Sequence, residues 1–547
     1  MDRKSDRKSE NSGQVTVMIS LLLCAVLLFT LTCAEGVHIY LGKGRATKSA
    51  IAAGESVLAD YNVFLWEKYH ILAFDQCMKT ENCQADSYQL QKYLLENLGS
   101  KDSHASNLFQ YQINEAELSD KIYLTDEDGE VLKQEIVQYM KYQVPQDILA
   151  TLVDISAVTS KSQEIATVKG QVEESDKKAK ESEQTESEKQ KSAQSEGESQ
   201  KNDNKVEVDD RKKNDETSSK EQTKTEKKQE DPRNVLKRAL SGGIVELVTG
   251  RTDLSKDSFI TEGMPSNNKT AASARKEEKE EEISFHKGNF KEAKELTDCL
   301  DTQYQPTSLT TDMISEGLVT QYVLTTFSNA LQQTKPEDSP FCEMEYIISG
   351  KDSDYKNVKN VINRILLIRF PMNFMYAVKD IELTSQAQTL ALSIAGASAN
   401  PAVIEVVKYL LLACVSYGES VIDVRSLYQG RSVAFVKNKS NWNLQLTNIG
   451  SVLGMVTKEE EGGMNYEDYL RLLLLTQNDK SVKYARMLDV MQINGKKQEA
   501  GFDIYNMVYG FQMHTELMLR PRFQQIGISD NVAGTGITLT IDKYLAY

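Results

Sequence analysis

Val15–Ala34 reads VTVMISLLLCAVLLFTLTCA, twenty consecutive residues without a charge. At 1.5 Å per residue a helix of that length spans about 30 Å, the thickness of a bilayer's hydrocarbon core. The flank before it carries Arg3, Lys4, Arg7 and Lys8 among Asp2, Asp6 and Glu10. Only Lys and Arg count for orientation, so residues 1–14 are expected in the cytoplasm and the bulk of the chain outside it. A cleaved signal peptide competes, with Thr32-Cys33-Ala34 as its small-residue site. The apolar core of such a signal is about 7–15 residues, shorter than this one. The expectation is a single-pass, uncleaved anchor over 15–35 in the cell membrane.

Working outward, 45–72 (RATKSAIAAGESVLADYNVFLWEKYHIL) places Ala50, Val57, Tyr61, Phe64, Leu65 and Leu72 near helical spacing. The simplest expectation is one helix rising from the membrane to about Leu72. Ala46, Ala50, Ala53 and Gly54 are small enough to allow close helix approach, either to a partner or to the protein's own first domain. A membrane-proximal α/β region is expected over 36–158. It holds a helix at 84–98, the alternating stretches LFQYQI and KIYL, a turn at Asp128-Gly129 and a helix over EVLKQEIVQYMKY. Cys77 and Cys83 bracket five residues of a polar loop, where a disulfide is chemically allowed if the loop faces outside.

The clearest boundary follows. Residues 171–230 hold 18 Asp/Glu and 14 Lys/Arg with no aromatic, Leu, Ile or Met. Such a stretch buries too little apolar area to offset an ordering entropy of about 1–2 kcal/mol per residue, so 159–232 is expected to be a disordered charged linker. A helical segment with a second charged break is expected over 233–305, and a C-terminal α+β domain over 306–547. In it, Asn357–Phe370 sets Val358, Val361, Ile362, Ile365 and Ile368 on one face, with Pro371 as its stop. Helices are also expected at 387–397, at 401–413, after the Asn465/Asp468 capping box, and over 482–493 before Asn494-Gly495. Residues 503–519 and 537–545 alternate like the strands of a terminal β-hairpin. The fold class is α+β, helix-dominated.

The chain of 547 residues carries a formal charge of −16, and phosphate binding needs clustered cations, so nucleic acid is excluded as a partner. Five scattered histidines and seven cysteines without a Cys-x-x-Cys pair argue against a metal centre. Ser349-Gly350-Lys351-Asp352 lacks the upstream Gly and the Ser/Thr of a phosphate loop, and Gly418-Glu419-Ser420-Val421 falls short of a nucleophile elbow. Leu124 stands where the first ligand of a calcium loop belongs. Arg364, Arg369, Arg471 and Arg486 interrupt apolar helices and read as snorkelling side chains on wet edges. Cys299 and Cys342 are open to pairing. No catalytic residue, cofactor or metal ligand emerges, and the oligomeric state is not legible.

The N-terminal stretch SGQVTVMISLLL…EGVHIYLGKGRATKSAIAAGESVLADYN resembles the start of TadE/TadG-like proteins of tight-adherence (Tad) pilus systems. EVLKQEIVQYMKYQ, EMEYIISGKDSDYKNVKNVINRILLIRFPMNF, VKYLLLACVSYGESVIDVRSL and MNYEDYLRLLLL are similar to the family called domain of unknown function 5702. Together these resemblances cover most of 14–157 and 233–547. That family has no established reaction, so it supplies no functional residue. Met18 stands where a processed pilin would have Glu, which argues against cleavage by a prepilin peptidase. The expectation is a non-enzymatic, membrane-anchored envelope protein that assembles or positions a Tad-type pilus, with pilus components as partners. A cell-surface adhesin is the alternative, and a membrane-anchored hydrolase comes third.

Overall fold

The first helix, α1, is continuous over Asp6–Ala59. It ends at Ala59 rather than near Leu72, because Asn62 starts a new helix: its side chain accepts from the Leu65 amide at 3.0 Å and caps α2 (Val63–Tyr69). His70, with φ 54°, closes α2 in the left-handed region. In this computed structural model the described residues are 6–77, 85–99, 108–143, 231–251, 254–259, 263–267, 311–332, 342–395, 400–477, 479–523 and 536–547. The charged linker and the second charged break, with nearly all their residues, lie outside them.

After α2 come β1 (Phe74–Asp75), α3 (Ala85–Leu98), β2 (Tyr111–Tyr123) and α4 (Glu130–Gln143). Beyond the linker lie α5 (Pro232–Ala239), α6 (Ile244–Thr249) and α7 (Thr311–Thr326). The run α8 (Glu343–Ser349), α9 (Asp354–Lys379), α10 (Ile381–Ala395), α11 (Pro401–Tyr428) and α12 (Tyr466–Leu475) follows. The chain ends with α13 (Lys480–Gln498), β3 (Met507–Leu519) and β4 (Ile537–Ala546). Helices dominate, with one small sheet.

The chain divides into two compact units. The first draws on Met1–Gln143, Thr261–Thr326 and Asn478–Tyr547, the second on Val144–Ile260 and Phe327–Gln477. The terminal hairpin therefore groups with N-terminal residues, not with the helices of 327–477 that precede it in sequence. The register explains why. β3 is the central strand of an antiparallel sheet, paired with β2 from Val508↔Tyr123 to Leu519↔Tyr111. Its other edge is shared by β4 and, at Met507–Val508, by β1. The two expected stretches at 108–113 and 121–124 are one strand, interrupted by irregularities near Asn114 and Asp120.

One sheet face is covered by α1 and α3. Phe511, Met513, Leu517 and Leu519 of β3 join Ala116, Leu118, Leu539 and Ile541 against Ala46, Ala50, Ala53, Val57, Leu90 and Leu94 in one core. The alternation of strand residues and the 3–4-residue spacing on α1 are the two periodicities meeting.

In the second unit, Val358, Val361, Ile362 and Ile365 of α9 are fully buried. Pro371 does not end α9 but lies inside it. It forfeits only the bond to the Leu367 carbonyl, and Leu367 is on the exposed side of the helix. α11 runs fifteen residues beyond the expected stop at Ala413. In the first unit, α13 continues through Asn494-Gly495: Asn494 is buried and donates to the Tyr69 hydroxyl at 2.8 Å, and a Cβ on Gly495 would meet the Phe502 ring at 2.3 Å. That glycine is required for packing, not for a stop. The expected Asn465/Asp468 capping box is present at the start of α12.

α1, α9 and α11 are each long and apolar enough to cross a membrane. About half of the apolar window of α9 and two fifths of that of α11 are buried within the protein, whereas the apolar window of α1 is wholly uncovered. α1 is the candidate membrane anchor.

Candidate functional site: a buried ionic cluster and a neighbouring cleft

The densest chemistry in the second unit is sealed inside it. Arg369 of α9 is fully buried, so it does not snorkel. Its Nε and Nη2 donate to Asp423 Oδ2 on α11 at 3.1 and 2.6 Å. Its Nη1 donates to the Ala434 and Phe435 carbonyls at 2.8 and 2.9 Å. One turn on, Asn373 donates to Ser420 Oγ at 3.0 Å and to Asp423 Oδ2 at 2.9 Å. Lys437 Nζ lies 2.8 Å from Glu419 Oε1 and 2.7 Å from Asp423 Oδ1, all three side chains fully buried. Glu419 also accepts from the Asn443 and Leu444 amides, and Thr457 donates to Asp423 at 3.3 Å.

Two cations face two carboxylates. Burial would raise Asp423, but Arg369 and Lys437 hold its carboxyl below the usual carboxylate range. Burial prevails at Glu419 and pushes it up, against the pull of Lys437. With charges paired and lone pairs filled, no group is turned toward water or a substrate. The cluster can lock α9, α11 and the 432–457 loop into one arrangement; replacing a buried ion pair by well-packed apolar side chains is often neutral or stabilising, so its contribution is to the arrangement rather than to net stability.

The sequence held a signal for it. Ser416, Glu419, Ser420, Asp423 and Ser426 fall at i, i+3, i+4, i+7 and i+10 on one face of α11, and Arg369 and Asn373, at i and i+4 of α9, meet that face at Asp423 and Ser420. A buried polar stripe has that pattern, and so does a wet edge. The three serines turn back on carbonyls one turn earlier, at 2.7–2.8 Å.

Nearby is an open cleft of about 740 Å³, lined by Tyr376, Asp380, Ser385, Gln386 and Lys439 among others. The Tyr376 ring lies 4.8 Å from that of Trp442, and its hydroxyl donates to Asp380 Oδ2 at 2.9 Å. Aromatic faces beside hydrogen-bonding groups can hold a polar ligand; nothing there is arranged as a nucleophile with a base.

The residues singled out for helix packing lie together, in the first unit. Ala46, Ala50 and Ala53 are fully buried against the protein's own sheet, and a Cβ on Gly54 would meet Leu545 Cδ1 at 2.3 Å. Their close approach is to the sheet and to α3, within the chain. Cys77 is disulfide-bonded. Cys83 lies outside the described residues. Cys342 is buried, and Cys299, the other half of the pairing left open above, lies outside the described residues. Arg471 is half-buried and pairs with Asp468 at 2.8 Å. Among the described residues no group of His, Cys, Asp and Glu could hold a metal.

A candidate membrane helix, a helix-dominated body and a buried ionic cluster define the class of protein. The chain belongs to a family of unknown function, DUF5702, whose model matches residues 222–518. No curated protein and no solved structure matches it.

Proposed function

We infer that the protein is a single-pass, membrane-anchored structural protein of the cell envelope, its body outside the cytoplasm, that assembles or positions a Tad-type pilus by binding rather than by turnover. The observation that carries this reading is the continuity of α1. The same helix supplies the uncharged span and, from Ala46 to Val57, a core wall of the first unit. The span and the first unit are thus joined by one unbroken helix, an arrangement suited to holding a position or bearing load. The TadE/TadG-like character of the N-terminal stretch supports the pilus assignment, and the sealed state of the ionic cluster supports a non-catalytic role.

The test is crosslinking in intact membranes, followed by pull-down of the full chain through a C-terminal tag and mass spectrometry. Recovery of pilus components is expected. Their absence under crosslinking that captures other envelope proteins overturns the assembly role. The cleft at Tyr376, Asp380 and Lys439 favours one second reading, an adhesin or binding module, and capture of an envelope or surface glycan by the wild type but not by Tyr376→Ala would favour it.

A further inference from the structure

Where α1 leaves its uncharged span it enters a collar of exposed apolar side chains. Val37, Tyr40 and Leu41 are 59, 79 and 52 % exposed, and Leu108, brought beside them by the start of β2, is 45 % exposed. The collar has a built floor. Glu35 and His38 are buried; His38 Nδ1 lies 3.2 Å from Glu35 Oε1, and Nε2 lies 3.0 Å from the Leu108 carbonyl. Glu35 also accepts from the Phe523 amide at 2.6 Å. The His38 ring stacks on Phe109 at 5.0 Å and meets Phe523 edge-on at 5.9 Å. Between them is a cavity of about 390 Å³ with an almost wholly apolar lining.

Cations rim the collar. The Arg45 guanidinium lies 5.9 Å above the Phe109 ring and donates from Nη2 to the Leu98 carbonyl at 3.4 Å, leaving its other donors open among the described residues, and exposed Arg520 is tied by its amide to the Gln110 carbonyl at 3.0 Å. Lys43 is exposed on α1. Helical side chains lean toward the helix N-terminus, which favours placing the Lys43 ammonium on the side of the span.

We propose that this collar is a docking surface for the bilayer on the body's side, with apolar residues in the headgroup layer and Lys43, Arg45 and Arg520 on anionic lipid phosphates. The proposal rests on the reading of α1 as an anchor. With Ala34 at the edge of the hydrocarbon, a rise of 1.5 Å per residue sets Val37 about 4.5 Å and Leu41 about 10.5 Å beyond it, spanning a headgroup layer of roughly 5–7 Å and its outer edge. The occupant follows from covalent continuity: a surface three to seven residues past the span has the bilayer as its nearest neighbour. An apolar collar rimmed by cations matches an interface of acyl chains and phosphates.

The test uses the full chain in phosphatidylcholine vesicles, with and without phosphatidylglycerol, and shallow brominated lipids as quenchers. With Trp66 and Trp442 replaced by Phe, Leu108→Trp is expected to be blue-shifted and quenched, and Tyr88→Trp, on the exposed face of α3, is not. Phosphatidylglycerol should deepen the Leu108→Trp shift, and Lys43→Glu with Arg520→Glu should abolish that increment. Free inorganic phosphate, as competitor, should leave the quenching unchanged; removal of quenching by phosphate would assign the cations to a soluble anion and overturn docking. A chain that stays with vesicles through an alkaline wash while Leu108→Trp matches Tyr88→Trp overturns the collar alone. A chain released by the wash overturns the anchor and the collar together.

Discussion

The two units solve the same problem with different materials. The first packs small and apolar side chains of α1 and α3 onto a sheet whose central strand comes from the far end of the chain. The second places four formal charges between α9, α11 and a loop, and shields all of them. An apolar core fails gradually, because each lost methylene costs a fraction of the whole. An ionic core fails abruptly, because removing one partner leaves the other charged and dry. The chain has two tryptophans, Trp66 in the first unit and Trp442 in the second. A single-tryptophan variant therefore reports the unfolding of each unit separately.

The largest effect is expected from Arg369→Met. It keeps the volume and deletes the cation beside Asp423, leaving a carboxylate whose main partner is gone. A loss of about 3–5 kcal/mol is expected in denaturant titrations followed at Trp442, with the Trp66 transition unmoved. That is a large share of a typical domain's stability of about 5–15 kcal/mol. An unchanged Trp442 midpoint would mean that the cluster opens to water in solution.

Gly54→Leu tests the other core. Its Cβ would meet Leu545 Cδ1 and lie 3.1 Å from Met513 Sδ, and four carbons must then fit between helix and sheet. Overpacking of this kind costs about 1–3 kcal/mol, here at the Trp66 transition only. A shift at Trp442 instead would show that the division into two units is drawn in the wrong place.

How much of this was legible depended on how far the signal lay from its cause. The span at 15–34, the helices at 85–98 and 130–143, both terminal strands and the Asn465/Asp468 cap follow from local periodicity and turn chemistry. The partner of β3 does not: an alternating run states that a strand has a wet and a dry face, not which strand 390 residues away will cover its edge. Arg369 is the same case in side-chain form. Its partner stands 54 residues on, and a lone arginine in an apolar helix looks alike whether its head reaches water or Asp423. Pro371 and Asn494-Gly495 misled for a related reason. Their local preference is to stop a helix, and tertiary packing overrode it.

Each unit holds a buried carboxyl pushed up by burial, Glu419 in the second and Glu135 in the first, and the contribution of Glu135 can be isolated. Glu135 is buried, accepts from the Leu72 amide, and leaves its second oxygen without a partner among the described residues. Burial raises it well above its ordinary value of 4.5, against the pull of that amide. The folded state therefore keeps a proton that the unfolded chain releases, and stability falls as pH rises from the ordinary value to the raised one. One such proton is worth at most about 1.4 kcal/mol per pH unit. Glu135→Gln should flatten that slope at Trp66 and leave the Trp442 profile unchanged; an identical slope in the variant would mean that Glu135 is ionised when folded.

A smaller effect belongs to the exposed cap. Asn465→Ala removes the acceptor for the Asp468 amide, 2.9 Å away, and should cost about 1 kcal/mol at Trp442. Asn465→Asp should restore most of it, which a loss by disturbed packing would not allow.

The smallest effect is the sharpest control on the contrast between the cores. Arg364 stands five residues before Arg369 on the same helix, and the sequence offers no reason to treat them differently. In the structure Arg364 is half-buried and makes no ion pair among the described residues, whereas Arg369 holds five polar partners out of water. Removing a side chain of the first kind usually changes stability by less than about 0.5 kcal/mol. Arg364→Ala should therefore leave the Trp442 midpoint nearly in place while Arg369→Met moves it by several kcal/mol. If the two variants lose similar stability, loss of the long aliphatic stems explains both, and the ionic cluster has no special weight in the second unit. If Arg364→Ala is silent, the difference between the two arginines is the measured cost of stranding Asp423.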